Sequence, residues 1–169
     1  MTDRTPIQVE LEHTAKAPVD LVFKVIVAMD VSLFLTGYGW LPAATHVSRQ
    51  TGPWSVPGST RTAHFSDGNS AFEELLVAEA PTYLCYRISR FTSFMRFLAS
   101  EIQGEWRFVG EQGGTRITWL YSFTPRSTLA GLVLRRLMRG SWLLYMRQSL
   151  DRAARYAEAN AHLHASQPR

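Results

Sequence analysis

Lysine is almost missing from this sequence: Lys16 and Lys24 are the only two, so nearly all of the positive charge is arginine. The formal charge of +4 would permit nucleic-acid binding, but the arginines are scattered apart from Arg135, Arg136 and Arg139. No nucleic-acid motif accompanies them, and an arginine-rich proteome gives the same balance, so nucleic acid is not an expected partner. A single cysteine, Cys85, excludes an internal disulfide and suits a reducing compartment. The opening MTDRTPIQVE has no apolar core of the signal-peptide kind, and no apolar run approaches the roughly 20 residues of a membrane span. A cytoplasmic, bacterial-type protein is expected. A glycine-rich phosphate loop is absent, as is any serine- or cysteine-centred nucleophile motif. His13, His46 and His64 are dispersed, and His162 and His164 fall near the end, so neither a metal site nor a cofactor is expected.

What remains is an ordinary globular composition, 46% hydrophobic and 19% charged over 169 residues. One domain is expected, with its core over about 7–160 and a tail over 162–169 that frays. Gln8 to Thr14 sets Val9, Leu11 and His13 against charged neighbours, the period of a half-buried strand. Pro18 and the spacing of Leu21, Val22, Val25 and Ile26 predict a helix. A second short helix is expected over about Asp30 to Leu35, before an aromatic loop at Tyr38 to Pro42.

From Thr45 to Thr124 the chain reads as strands. They fall at Thr45–Gln50, Ser59–Ser66, Ser70–Ala78, Tyr83–Phe91, Glu101–Val109 and Thr115–Thr124. Asp67-Gly68-Asn69 and Gly113-Gly114 mark two hairpins. Ile117, Trp119, Tyr121 and Phe123 share one face of the last strand, the clearest period-2 signal in the chain. The apolar stretch Phe94 to Ala99 has no decisive pattern. About seven strands follow one another with short connections, so neighbours should pair in antiparallel sequence.

A long helical run, Ser127 to Ala161, is the element available to cover that sheet. Its first apolar block contains Leu129, Leu132, Val133 and Leu137, and its second contains Trp142, Leu143, Met146 and Leu150. Gly140 between them costs about 1 kcal/mol inside a helix relative to alanine, which predicts a kink or break and a first block free to act as a flap. Leu143, Met146, Leu150, Ala153 and Ala157 form the stripe that would lie on the sheet.

Polar groups in mid-strand argue that sheet and helix enclose a pocket rather than a dry core. Arg61, His64, Glu73, Tyr86 and Tyr121 are such groups, and buried charges must be paired, wetted or turned to solvent. A two-residue turn would set Arg61 opposite Glu74; a three-residue loop would set Arg61 and Glu73 on one face. Alternation alone leaves both open.

The order of elements, with GSTR (Gly58 to Arg61), DG (Asp67-Gly68), Glu73 and EAP (Glu79 to Pro81), resembles the START-like helix-grip (SRPBCC) superfamily. GEWRF (Gly104 to Phe108) and GGTRITWLYSF (Gly113 to Phe123) resemble the last hairpin of its polyketide cyclase/dehydrase-like branch. The likeness runs from Gln8 to about Glu158. It implies an α+β helix-grip fold, a curved antiparallel sheet of about seven strands wrapped around a long C-terminal helix. It also implies that Arg61 and Glu73 both point inward, as the equivalent pair does in plant hormone receptors of this fold. Ala63, Phe65, Leu75, Tyr86, Ile88, Trp119 and Tyr121 would share their face.

The expected function is binding or carriage of a small hydrophobic molecule, lipid-like, isoprenoid or polyketide. Arg61 and Glu73 would orient its polar end, and Phe65, Tyr86, Ile88, Trp106, Trp119, Tyr121 and Met146 would hold its body. Trp142 and Tyr145 are assigned to core or helix surface. No catalytic residue is assigned; a cyclase or dehydratase using the same cavity is the alternative, with Glu73 or His64 moving the proton. A third reading is an interaction module, with a homodimer as its simplest form. The apolar residues and three arginines of Leu129 to Met146 suit a docked helix with its arginines facing water, and would also suit transient contact with a membrane surface.

Overall fold

The computed structural model describes residues 5–165. Alternation in IQVELEHTA produces β1 (Ile7–Ala15), with Ile7, Val9 and Ala15 turned inward. Pro18 leads into α1 (Val19–Ala28), whose Val22, Phe23, Val25 and Ile26 are buried; the fixed φ of proline suits a helix entry, where its missing N–H leaves no gap. The second helix expected over 30–35 is only a 3₁₀ turn at Val31–Leu33, held by the Asp30 carboxylate accepting from the Ser32 N–H at 2.8 Å.

Six further strands complete the sheet: β2 (Ala44–Ser48), β3 (Thr60–Phe65), β4 (Ser70–Glu79), β5 (Tyr83–Ser89), β6 (Ala99–Glu111) and β7 (Gly114–Pro125). The spatial order is β1-β7-β6-β5-β4-β3-β2, antiparallel throughout. From β2 to β7 every strand pairs with its neighbour in the chain, and β1 returns to pair with β7. Between β5 and β6, the undecided apolar stretch forms a single helical turn, α2 (Met95–Leu98).

The long terminal run divides where glycine was expected to weaken it. α3 (Thr128–Arg139) starts at Ser127, whose hydroxyl accepts from the Ala130 N–H at 3.1 Å. Gly140 leaves the helical region, with φ −113° and ψ −115°, and α4 (Ser141–Ala165) begins beyond it. α4 packs on α1 and β1, burying Met146, Leu150, Ala153, Ala154 and Ala157; the alanines let the backbones approach. The helix continues to Ala165, past His162, where fraying was expected. The rest of that tail, 166–169, lies outside the described residues. Among the described residues no helix is long and apolar enough to cross a membrane.

Sheet and helices meet over an aromatic core. Trp106 of β6 stacks on Trp119 of β7 at 4.7 Å between ring centroids, and Phe34 contacts both edge-on at 6.1 and 6.2 Å. Phe23 of α1 closes on Phe108 at 5.4 Å. Further along the concave face the filling stops, and a cavity begins.

Candidate functional site

The turn between β3 and β4 sets the register of the site. Ser66-Asp67-Gly68 is a three-residue loop, closed by the Phe65 N–H donating to the Asn69 carbonyl at 2.9 Å. Gly68 takes φ +81° there, which glycine adopts without a steric penalty. The ladder that follows sets His64 opposite Ser70 and Arg61 opposite Glu73. Arg61 Nε donates to Glu73 Oε2, with the two side chains only 9% and 8% exposed. The Arg61 guanidinium also lies 3.7 Å from the centroid of the Trp54 ring, a cation–π contact strengthened by burial. Glu74 points the other way and pairs with Arg87 at 2.6 Å.

Three phenols stand next to this pair. Gly104 of β6 is opposite Tyr86 of β5, and the tyrosine ring occupies the space a side chain would need: a Cβ on Gly104 would lie 2.4 Å from Tyr86 Cζ. With its ring across the glycine, Tyr86 donates its hydroxyl to the Tyr121 hydroxyl at 3.2 Å. Burial pushes the Tyr86 phenol up first, and the nearby charge of Glu73 pushes it further. Tyr121 is raised well above the ordinary tyrosine value by burial and then by Tyr86. Burial likewise raises Tyr145 on α4, with Tyr86 and Glu73 adding to it. All three are therefore protonated donors at neutral pH.

The cavity these groups face has a volume of about 90 Å³. Ala71, Glu73, Ile88, Ile102 and Tyr121 form its floor on the sheet, and Trp142 and Tyr145 of α4 form its wall. Leu35, Leu41, Phe94 and Met95 close the rim, with Phe65 and Asn69 from the β3–β4 hairpin. A dry cavity of roughly 150 Å³ accepts one benzene, so this one as it stands is smaller than a single aromatic ring needs. A larger molecule requires the rim to move.

Two donors on residues of the cavity wall make no hydrogen bond with any described residue. The indole N–H of Trp142 is buried and has no hydrogen-bond partner among the described residues. The Tyr145 hydroxyl makes no hydrogen bond with any described residue, although the residue is only 6% exposed. Buried donors ordinarily find partners. A third orphan, the Trp119 indole N–H, sits deeper in the core.

Of the residues singled out in the sequence, Phe65, Glu73, Ile88 and Tyr121 line the cavity. Arg61 and Tyr86 stand behind it and reach it only through Glu73 and Tyr121. Trp106, Trp119 and Met146, expected to hold a ligand, are instead solid core. Phe34, delivered by the 3₁₀ turn, fills the space over both tryptophans, and Met146 is fully buried on α4. His64 is on the opposite face of β3 from Arg61, because one residue's shift reverses the side of a strand. It stacks on His46 at 4.4 Å and is hydrogen-bonded to Ser48 Oγ at 2.7 Å, so the role of proton carrier in the cavity does not apply to it.

Trp142 and Tyr145 are corrected in the other direction, from core or surface to cavity wall, because α4 begins afresh at Ser141. Leu35, Leu41, Phe94 and Met95 had no signal to find, being apolar residues in connections without periodicity. Among the described residues no group of three His, Cys, Asp or Glu side chains is placed to hold a metal ion.

Solved structures share this architecture. The aromatase/cyclase ZhuI from Streptomyces sp. R1128 superposes with a TM-score of 0.67 at 20% identity, over 92% of this chain and 95% of that one. The ginseng major latex-like protein 151 from Panax ginseng gives 0.67 at 11% identity, over 90% and 98%. DynU16, from the dynemicin biosynthetic locus, gives 0.56 at 24% identity; 89% of this chain is covered, but only 47% of DynU16. At such identities the likeness is one of fold. Comparison with curated protein sequences finds no match. Residues 6–158 match the family described as polyketide cyclase / dehydrase and lipid transport, and this chain, a seven-stranded helix-grip protein with an aromatic cavity, belongs to that family.

Proposed function

We propose that the protein binds a small hydrophobic molecule without covalent chemistry, and that the bound end of this molecule carries hydrogen-bond acceptors such as a ketone or carboxyl oxygen. The observation that carries the reading is two donors without a hydrogen-bond partner among the described residues, the buried indole N–H of Trp142 and the hydroxyl of Tyr145, on residues that line a largely apolar cavity. A ligand oxygen between them would satisfy both, while Ile88, Ile102 and Phe65 hold an apolar body. Arg61 and Glu73 already satisfy each other, so the pair shapes the floor rather than awaiting a counter-ion.

Carriage rather than catalysis is favoured by the direction of the tyrosine shifts. A general acid or base works best with a pKa near the working pH, whereas these phenols are moved away from it. A cyclase or dehydratase is the second reading, supported by Tyr145 itself: a fixed phenol can donate to a developing enolate oxygen while the cavity folds a reactive chain.

Native mass spectrometry of protein from its own host, followed by solvent extraction, tests the first reading. A single acceptor-bearing hydrophobic compound should co-purify and be lost in Ile88→Asp. An empty protein that gains no thermal stability from aromatic polyketides, isoprenoids and fatty acids would overturn it. Conversion of an added polyketide, rather than its return unchanged, would select the second reading.

A further inference from the structure

The acidic residues are unevenly placed. None of the fourteen Asp and Glu residues lies in 31–66, 80–100 or 112–150. Those three segments supply Trp40, α2 and α3, which together form one exposed face. Leu129, Leu132 and Phe97 on it are 71%, 60% and 65% exposed, far beyond what a scattered surface apolar residue requires. Trp40 packs at a tilt against Phe94, 5.3 Å between ring centroids, and donates its indole N–H to Ser141 Oγ at 3.3 Å, which fastens the loop to the break between α3 and α4. Arg135, Arg136 and Arg139 follow at the end of α3, exposed and without an ion-pair partner among the described residues.

We propose that this face docks on an anionic lipid surface. The leucines of α3, Phe97 and Trp40 enter the headgroup boundary, and the three arginines lie among lipid phosphates. A helix with an apolar edge and a cationic end is the form that settles in such an interface, and an acid-free face is complementary to anionic headgroups. Phe94 belongs both to this face and to the rim of the cavity, so docking brings the cavity mouth to the lipid. The buried face of α3 already packs on the body through Ala130, Leu134 and Met138; its outer face therefore needs no refolding to engage. This goes beyond the cavity reading and does not depend on what the cavity holds.

Co-sedimentation of the full chain with vesicles tests it, using phosphatidylcholine alone and phosphatidylcholine with phosphatidylglycerol. Binding is expected to the second vesicle only, to weaken on raising salt from about 0.1 M to about 0.5 M, and to shift Trp40 emission to the blue. Trp40 is 58% exposed, while Trp54, Trp106 and Trp119 are at most 8% exposed and Trp142 is half-buried, so most of the shift should be lost in Trp40→Phe. Arg135→Gln, Arg136→Gln and Arg139→Gln should each weaken binding by about fivefold. Leu129→Ser with Leu132→Ser should abolish it with an unchanged melting temperature, since both side chains point outward. No binding to anionic vesicles, or equal binding to neutral ones, would overturn the proposal. So would a dimer by sedimentation velocity that the two serines dissociate, because a second copy would then cover the face. Any of these results leaves the cavity reading standing, since the assay contains no cavity ligand.

Discussion

Trp119 and Tyr121 are two residues apart on one face of β7, yet they belong to different regions. Around Trp119, Trp106 stacks from the next strand and Phe34 closes from above, leaving it 0% exposed. Around Tyr121, Tyr86 and Trp142 approach at 6.4 and 6.3 Å, and beyond them is open volume. The strand supplies aromatic rings to both ends in the same way. What differs is the lid: α1 and the 3₁₀ turn send phenylalanines into one end, whereas loops, α2 and the broken helix cover the other. Whether an inward aromatic residue is core or lining is decided by the element opposite, and the hydroxyls accumulate on the side that is left unfilled.

The largest effect expected from this contrast is on stability. Trp119→Ala removes a ring packed on both faces and should destabilise by about 3–5 kcal/mol. Trp142→Ala, with the cavity already on one side and partial exposure on the other, should cost roughly 1–2 kcal/mol. Urea denaturation monitored by circular dichroism gives both values; equal costs would erase the distinction between the two ends. Arg61→Ala belongs with the larger class, because it strands the Glu73 carboxylate in a site where each side chain is under 10% exposed, at about 3–5 kcal/mol.

Alkaline pH separates the ends without mutation. Tyr86, Tyr121 and Tyr145 are raised by burial in the fold, and an unfolded tyrosine titrates near 10. Above that pH the unfolded chain has released protons that the native state retains, so stability is intact below about pH 10 and falls as pH rises past it. Each buried phenol contributes up to about 1.4 kcal/mol per pH unit. Denaturation midpoints between about pH 9 and 11.5, with tyrosinate absorbance followed in parallel, should show these phenols ionising only as the protein unfolds. Early ionisation would mean that the unfilled end is open to solvent.

A smaller effect tests the geometry between the ends. Gly104→Ala places a methyl against the Tyr86 ring and should cost about 1–3 kcal/mol while breaking the Tyr86–Tyr121 hydrogen bond. In a Tyr86→Leu background the same change should cost much less, a coupling that a double-mutant cycle measures. An unchanged cost would place the strain elsewhere.

Much of this fold was legible because strands announce themselves by alternation and breaks by glycine. Ile117 to Phe123 showed its face directly, and Gly140 marked the division between α3 and α4. The pairing of Arg61 with Glu73 needed one more fact, the length of the loop around Asp67-Gly68, which alternation does not contain. The same limit explains His64. It is as polar and as central in its strand as Arg61, and only the parity of the register sends it to the other face. Trp106 and Trp119 were misassigned for a different reason: the residue that fills the space above them, Phe34, comes from a short turn with no pattern of its own. Rim residues such as Leu41 and Phe94 were invisible on the same ground. Local periodicity reports which way a side chain points, and a cavity depends on what fails to arrive from elsewhere in the chain.

The smallest structural change should have the most specific consequence. Tyr145→Phe removes one oxygen that no described residue uses, so stability should move by less than about 0.5 kcal/mol. A ligand that accepts from that hydroxyl should bind about five- to tenfold more weakly, by isothermal titration with whatever compound the extraction identifies. The Trp119→Phe variant provides the reverse pattern, destabilised while binding nearly as the wild type does. If Tyr145→Phe leaves affinity untouched, the donor does not face the ligand, and the polar end of the molecule must be held by the indole of Trp142 alone.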